Sequence, residues 1–301
     1  MPNRMHKTVL LHEAIDGLDL KPDSVVLDST FGGGGHSLEI CKRYKNVKII
    51  ALDQDKSVWS GENKFEGCSI SFSNDNFRNI DKVLEKFGVK EISGIIFDLG
   101  LSSNQLENSG RGFSFMRDEP LLMTMKENPT PLDITAEDVV NTWGEESLAD
   151  IIYGYGEERQ SRKIAKEIVE FRKKQKIKTT FDLVKIIEKA IPAKFRQKNN
   201  KGKIHYATKT FQAIRIAVND ELQALREGLV KGFKILKTGG RMSVISFHSL
   251  EDRIVKRFYK EEVKKGMALL VNKKIIIPND NEIKNNPRSR SAKLRILEKI
   301  N

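Results

Sequence analysis

The chain has 301 residues, of which 39% are hydrophobic, and it carries a formal net charge of +12 at pH 7. This length allows one large domain or two smaller ones, and no apolar run is long enough for a membrane span or for the core of a signal peptide. The basic excess favours a polyanionic partner, nucleic acid first, although an ordinary basic surface would give the same charge.

The two cysteines, Cys41 and Cys68, form no zinc-binding pattern. Their number and spacing are typical of a reduced protein and not of a disulfide scaffold. We therefore expect a cytoplasmic protein with free thiols and no metal.

The first half of the chain alternates apolar strands with helices. Val25–Leu27 predicts a buried strand that is closed by Asp28, and the turn Gly32–Gly35 leads into a helix. A second apolar run, Val47–Leu52, ends on Asp53. Strand, glycine-rich turn and helix is the layout of a nucleotide-type cofactor site, and an acid after the second strand is placed to bind ribose hydroxyls. A flexible surface turn is the alternative.

Two further strands complete the pattern. Ile70–Phe72 predicts the third strand, and Phe77, shortly after it, is placed to pack either on an adenine ring or in the core. Ile92–Phe97 predicts the fourth strand, ending at Asp98, and Leu99–Phe115 is interpreted as a long loop. Open α/β sheets bind ligands beyond the carboxyl ends of their strands, so the acids after these strands indicate a site at one edge.

Helical periodicity replaces the strand pattern between about residues 109 and 203. Glu157–Gln175 predicts one helix, and Thr179 begins a capping-box sequence before Leu183–Ala190. We interpret this span as an inserted helical subdomain. The segment Ala193–Lys209 contains six cations and no acid, which predicts either a solvated loop or a loop that contacts phosphates.

The last hundred residues return to the α/β pattern. Phe211–Leu236 predicts a long amphipathic helix that stops at Thr238–Gly240, and Arg241–Phe247 predicts a strand. His248 then begins a helix, and the C-terminal tail predicts a basic loop before a last edge strand.

Taken together, the motifs resemble those of one family, the bacterial 16S ribosomal RNA cytosine-N4 methyltransferases (RsmH/MraW). The glycine turn by itself resembles motif I of S-adenosylmethionine-dependent methyltransferases. The matching stretches occur in the family's order and reach from end to end of the chain: HKTVLLHEA, DSTFGGGGHS, DLGLSSNQL, RGFSFMRDEPL, YGEERQSRKIA, HYATKTFQAIRIAVNDEL, GGRMSVISFHSLEDRIVKRF and NPRSRSAKLR.

The resemblance implies a class I (Rossmann-like) methyltransferase sheet, formed by residues 1–108 and 204–301, with an inserted helical substrate-recognition domain at 109–203. It implies N4-methylation of a cytidine in the decoding region of 16S ribosomal RNA in the small subunit, with S-adenosyl-L-methionine as cofactor. The cofactor residues carried over are Gly34, Gly35, His36, Asp53, Phe77, Asp98 and Gln105.

Other roles rest on position along the chain. Asp98 is a candidate catalytic group or a cofactor ligand, and its position does not separate the two. We expect RNA to be contacted by His248, Glu251, Arg253, Arg288 and Arg290, with a capped helix start as the alternative for Ser249–Asp252. The sequence leaves open whether the protein forms a homodimer, and we expect no membrane partner.

The chain departs from the family pattern at Leu122 and Thr124, where the family usually has an acid and an arginine, and at Tyr206, where it usually has a proline. Losing both charges together leaves no orphan charge, but it could also weaken the substrate pocket. The alternatives are therefore an RNA-binding homologue with weakened catalysis, and a methyltransferase that acts on DNA or protein. The absence of GxGxxG disfavours a dehydrogenase.

Overall fold

The computed structural model describes residues 7–59, 65, 68–193 and 205–301. The chain divides into two compact units, Met1–Gly100 with Leu222–Asn301, and Leu101–Glu221. The second unit is longer at both ends than the inserted segment at 109–203 that the sequence suggested, so it includes Gln105. Five of the six cations of the basic segment Ala193–Lys209 lie outside the described residues.

The first unit is built on a seven-stranded sheet in the order β3-β2-β1-β4-β5-β7-β6. Its strands are Val25–Asp28 (β1), Lys48–Asp53 (β2), Ser69–Asn74 (β3), Ile92–Asp98 (β4), Leu236–Ser246 (β5), Ala268–Leu270 (β6) and Lys293–Lys299 (β7). Strands β1 to β5 pair in parallel, and β7 is antiparallel to both β5 and β6. This order is that of the class I methyltransferase sheet, so the predicted fold class is confirmed. Chain order reverses at β1, which is where such sheets bind ligands.

Helices cover both faces of this sheet. Those of the first unit are Leu11–Asp16 (α1), Gly35–Arg43 (α2), Ile80–Lys86 (α3), Glu221–Ile235 (α10), Ser249–Lys264 (α11) and Asp280–Asn285 (α12), numbered in chain order. The central strands are apolar on both faces because helices bury both faces, and Leu27, Ile49, Ile95 and Phe97 are each almost fully buried.

Helix α10 approaches the sheet closely through two glycines. A Cβ added at Gly228 would lie 2.8 Å from Cδ2 of Phe77 and 3.3 Å from Cε1 of Phe97. A Cβ added at Gly232 would lie 2.9 Å from Cδ1 of Ile95. The helix backbone therefore takes the space that side chains would otherwise fill.

The long helix predicted over Phe211–Leu236 is wrong, because the chain breaks it in two. Asp220 has the left-handed φ of 49° and separates Thr208–Asn219 (α9) from α10. Aspartate tolerates this conformation better than most side chains, and the N–H of Asp220 still donates to the carbonyl of Ile216. Strand β5 begins directly after α10, so Thr238–Gly240 lies inside a strand and is not a helix stop.

The second unit is helical, as the sequence predicted for its central part. Besides α9 it contains Ser103–Glu107 (α4), Ala136–Thr142 (α5), Glu145–Gly154 (α6), Ser161–Arg172 (α7) and Thr180–Ala190 (α8). The capping box before α8 is present, with Thr179 and Asp182 bonded reciprocally. Helix α7 starts later than predicted, after Glu157 at φ 50°. Helix α4 lies in the segment that the sequence presented as a loop.

Leu122 and Thr124, which depart from the family pattern, lie in a segment of the second unit whose backbone is fixed by hydrogen bonds with neighbouring side chains. Thr124 is buried, and Arg111 donates to the carbonyls of Thr124 (3.2 Å) and Met125 (2.9 Å). Asn219 accepts from the N–H of Met125 and donates to the carbonyl of Met123, both at 2.8 Å. These contacts fix the backbone and involve neither missing side chain.

The expectation of free thiols is wrong. Cys41 and Cys68 form a disulfide, with 5.4 Å between their Cα atoms and a sequence separation of 27. Cys41 lies on α2, whose inner face packs with Ile40 against the starts of β2 and β3. The pairing follows from this packing and leaves no local signal in the sequence.

Among the described residues, no helix combines the length and the apolar character that crossing a membrane requires.

Candidate active site

The glycine turn forms a tight connection between β1 and α2. Gly34 has φ 71°, and a Cβ there would lie 2.6 Å from Cζ of Phe31. A Cβ at Gly35, the first residue of α2, would overlap the hydroxyl of Thr8. Both positions therefore require glycine, and backbone alone forms this surface of the sheet edge.

Asp53, at the end of β2, closes the turn from the other side. Its carboxylate accepts from the N–H of Gly32 at 2.8 Å and from the N–H of Asp55 at 2.9 Å. Burial raises the pKa of Asp53 to about 6, against the lowering effect of these two N–H groups. Each oxygen has one lone pair left, which suits a ligand hydroxyl.

Asp98, at the end of β4, has the most strongly raised pKa among the carboxyl groups of the described chain. Its Oδ1 is buried and has no hydrogen-bond partner among the described residues, and its Oδ2 lies 3.9 Å from Nδ1 of His36. Burial raises the pKa of Asp98 to about 8, and the charges of Asp28 and Glu251 add to the shift. A buried acceptor without a donor indicates a place for a ligand donor.

Sequence reasoning placed Asp28 at this edge but missed Thr30 and Ser37, which help to hold it in place. The hydroxyl of Ser37 donates to Asp28 at 2.6 Å, and burial raises the pKa of Asp28 to about 6. The N–H of Asp98 donates to the hydroxyl of Thr30 at 2.6 Å. The motif DSTFGGGGHS contains all three supporting residues, but only the folded turn shows what they contact.

Phe77 follows β3 and begins a short 3-10 turn, Phe77–Asn79. Its ring meets that of Phe97 edge to face, with centroids 5.7 Å apart, and is only partly buried. It therefore packs on the core with one edge and keeps some exposed surface. Both predicted roles agree with this placement.

Gln105 belongs to the second unit. It is buried and forms the capping box of α4, accepting from the N–H of Ser102 at 2.9 Å and donating its own N–H to the Ser102 hydroxyl at 3.1 Å. The pattern Ser-x-x-Gln in the sequence could have signalled this helix start. The structure thus gathers the other predicted cofactor residues at one edge of the first unit's sheet, and gives Gln105 a capping contact in the second unit.

The start of α11 is a capping box. Glu251 is buried and accepts from the N–H groups of Phe247 (2.8 Å) and His248 (3.2 Å), while His248 accepts from the N–H of Glu251. The capped helix start is therefore present at these two residues. Arg253 is exposed on the same helix.

Arg295 and Lys293, on strand β7 of the tail, share an acidic partner. Arg295 donates to both carboxylate oxygens of Asp252, at 2.8 and 3.3 Å, and Lys293 lies 3.5 Å from the same group. Arg288 and Arg290 are exposed on the 3-10 turn Pro287–Ser291. The cations of the basic tail therefore lie on strand β7 and on an exposed turn before it.

Comparison with known proteins decides the family. The model of the MraW methylase family matches residues 3–300. The chain belongs to this family. It is 42% identical to the ribosomal RNA small subunit methyltransferase H of Brevibacillus brevis and to that of Limosilactobacillus fermentum, over 98% of each chain in both cases. The resemblance found in the sequence and the expectation of a methyltransferase are confirmed.

A solved structure, an rRNA methylase from Streptococcus thermophilus, is similar over 100% of this chain and 99% of its own, with 13% identity and a TM-score of 0.44.

Replacing Asp53 by alanine is expected to weaken cofactor binding by about 1.5–3 kcal/mol, the range for losing hydrogen bonds to a charged group. Calorimetric titration of the full chain with S-adenosylmethionine measures the change. Asp81→Asn, on the exposed part of α3, is the control and should bind as the parent does. Unchanged affinity in the alanine variant would remove Asp53 from the site.

Proposed function

We propose that this methylase transfers a methyl group from S-adenosylmethionine to the N4 atom of a cytidine in the decoding region of small-subunit 16S ribosomal RNA. The observation that carries the proposal is the buried carboxylate oxygen Oδ1 of Asp98, at the end of β4 beside the glycine turn, which has no hydrogen-bond partner in the part of the chain that the structure describes. The names of the two relatives support the choice of ribosomal RNA.

The residues at the sheet edge fit this cofactor. The turn at Gly34 presents backbone where any side chain would collide with Phe31, which leaves a cradle for the cofactor's amino-acid part. Asp53 keeps lone pairs for ribose hydroxyls, and Phe77 offers exposed ring surface to the adenine. When bound, the cofactor supplies a sulfonium methyl group that is open to in-line attack by a nucleophile.

The cytosine amino group is a weak nucleophile, because its lone pair is delocalised into the ring. The protein has to hold this nitrogen in line with the methyl group and to accept a hydrogen bond from an amino proton as positive charge develops. Asp98 has the free oxygen for this contact, and a carboxylate with a raised pKa is the stronger proton acceptor. The target base has to leave any stack to reach it.

RNA contacts are proposed for both units. In the first, Arg253, Arg288 and Arg290 are exposed cations, while His248 and Glu251 shape the surface through the helix cap. The helical unit is proposed as the substrate-recognition domain. Lys209, the one cation of the basic segment Ala193–Lys209 within the described residues, donates to the carbonyl of Glu157. The fixed backbone around Thr124 gives no reason to favour the homologue with weakened catalysis.

Neutralising Arg288 and Arg290 together is expected to reduce the log–log salt slope of RNA binding by about 0.7–0.9 for each phosphate contact that the change removes. Fluorescence anisotropy of labelled RNA, titrated at several salt concentrations, measures the slope. Neutralising Lys21 and Lys265, two exposed lysines of the first unit that lie beside Asp19 and Glu262, is the matched control. The same slope in the parent and in the arginine double variant would exclude contacts from this turn.

The direct test of the proposed function is mass spectrometry of small-subunit RNA from cells with and without this protein. We expect N4-methylcytidine in the decoding region to disappear without the protein and to return with the parent chain. Its persistence without the protein would contradict the proposal, and a modified base in DNA or a modified protein residue would support the alternative substrates.

A further inference from the structure

A pocket of about 270 Å³ lies in the first unit, at the point where β5 ends and α11 begins. Four separate stretches of chain line it: Phe247–Ser249, Ile277 with Pro278, Ile283, and Arg290–Lys293. The cofactor roles proposed above use none of these residues.

Cations contribute to the lining of the pocket. Arg290 is exposed, and among the described residues no carboxylate lines the pocket. Lys293 also lines it, and although its ammonium lies 3.5 Å from Asp252, that carboxylate is already bound by Arg295 through two hydrogen bonds. Two cations share one acid there, so the pocket keeps a net positive charge that suits a phosphate.

Other lining residues form an apolar wall. Ile277 is 61% exposed although it lies beside the buried Pro278, and Ile283 and Phe247 continue this wall. An exposed isoleucine at the rim of a pocket offers apolar contact to a flat group. At about 270 Å³, the pocket is just below the usual range of about 300–1,000 Å³ for drug-sized ligands, so its size suits a small group.

The pocket is next to the end of β4 that bears Asp98. Strands β4 and β5 pair so that Asp98 is opposite Ile245, and the N–H of Leu99 donates to the carbonyl of Ile245 at 3.0 Å. A Cβ added at Gly100 would lie 3.5 Å from Cδ2 of Phe247. The ring of Phe247 therefore stands between the end of β4 and the pocket.

We propose that this pocket binds one nucleotide of the RNA strand beside the target cytidine, with its base against Ile277 and Phe247 and its phosphate on Arg290. The proposal rests on the proposed function, since it assumes an RNA substrate at the carboxyl edge of the sheet. The pocket gives the strand a second point of attachment, which orients the target base for the reaction at Asp98.

The test compares two arginines on the same short turn. Arg290 lines the pocket and Arg288 does not. Arg290→Gln and Arg288→Gln remove the same charge, so a difference between them reports on the pocket. With a single-stranded oligoribonucleotide of the decoding sequence at fixed salt, we expect the Kd to rise about tenfold or more for Arg290→Gln, the loss of a charged hydrogen bond. We expect about threefold for Arg288→Gln, from charge alone. Equal effects would overturn the proposal.

A second pair tests the apolar wall. Ile277→Ser should raise the Kd without changing the salt slope, because it removes no charge. Leu269→Ser, 54% exposed on β6 and outside the pocket, should leave the Kd unchanged. Equal affinities for the two serine variants would contradict the proposed contact with a base. Both variants change exposed side chains, so neither substitution should unfold the protein.

A free nucleoside monophosphate distinguishes the source of the nucleotide. If the pocket serves the RNA strand, the monophosphate competes with the oligoribonucleotide only weakly, and less still in Arg290→Gln. Competition as strong as that of the oligoribonucleotide would assign the pocket to a free nucleotide and overturn the proposal. Unchanged RNA binding by all variants, with small-subunit RNA still methylated, would remove the subsite and leave the proposed function standing.

Discussion

Asp98→Asn is expected to slow methyl transfer by about 10²–10⁴-fold, the range for removing a positioned proton acceptor. Asparagine has the same shape but carries no charge and accepts a proton far less readily than a carboxylate. Single-turnover methylation with saturating cofactor isolates the chemical step, and Asp81→Asn is the control for removing a surface charge. A parental rate in Asp98→Asn, with cofactor affinity reduced, would make Asp98 a cofactor ligand only.

The raised pKa of Asp98 gives this prediction a pH dependence. Below a pH of about 8 the carboxyl of the free protein is protonated and cannot accept an amino proton. We therefore expect kcat/KM to rise as the pH increases through about 8 and then to level off, and we expect this rise to be absent in Asp98→Asn. A rise that persists in the variant would assign the titration to another group.

The same group links stability to pH. The carboxyl ionises near pH 4 in the unfolded chain and near pH 8 in the folded protein, so between these values the folded state binds the additional proton. The free energy of unfolding of the cofactor-free protein should therefore fall as the pH rises from about 4 to about 8. Urea unfolding at several pH values measures the slope, which should be shallower in Asp98→Asn.

Breaking the Cys41–Cys68 disulfide is expected to lower the free energy of unfolding by about 3.5 kcal/mol. The 27-residue separation sets this value, because the cross-link removes loop-closure entropy from the unfolded chain. Urea unfolding with and without a thiol reductant measures the difference. The Cys41→Ser, Cys68→Ser double variant should match the reduced parent and should not respond to reductant. Equal unfolding midpoints for the oxidised and reduced parent would contradict the prediction.

The sequence predicted the first four strands because each is a compact apolar run that ends on a polar residue. Parallel pairing brings the ends of such strands to one edge, so the sequence alone was enough to group Asp28, Asp53 and Asp98. Features that depend on packing were not predictable. The left-handed φ of Asp220 interrupts an unbroken amphipathic stripe, and Cys41 meets Cys68 only because α2 packs over β2 and β3.

The candidate site was likewise predictable from the sequence only in part. Residue type and spacing indicated the glycine turn and the acids, since one short motif contains most of that surface. The contacts of Glu251 and Arg295 could be found only in the structure. For Glu251 the reason is that an acid that caps a helix and an acid that faces RNA have the same sequence signature. Ile277 gave no signal at all, because its exposure beside a cationic turn follows from chain segments that are distant in sequence.

The close approach of α10 to the sheet makes Gly228 a remote determinant of where the ring of Phe77 lies. A methyl group there would displace the ring of Phe77, 151 positions earlier in the chain, from beneath. A side chain at position 228 is therefore expected only where position 77 carries a smaller residue, whereas glycine at 228 tolerates either. A survey of natural variants should show these two positions exchanging volume.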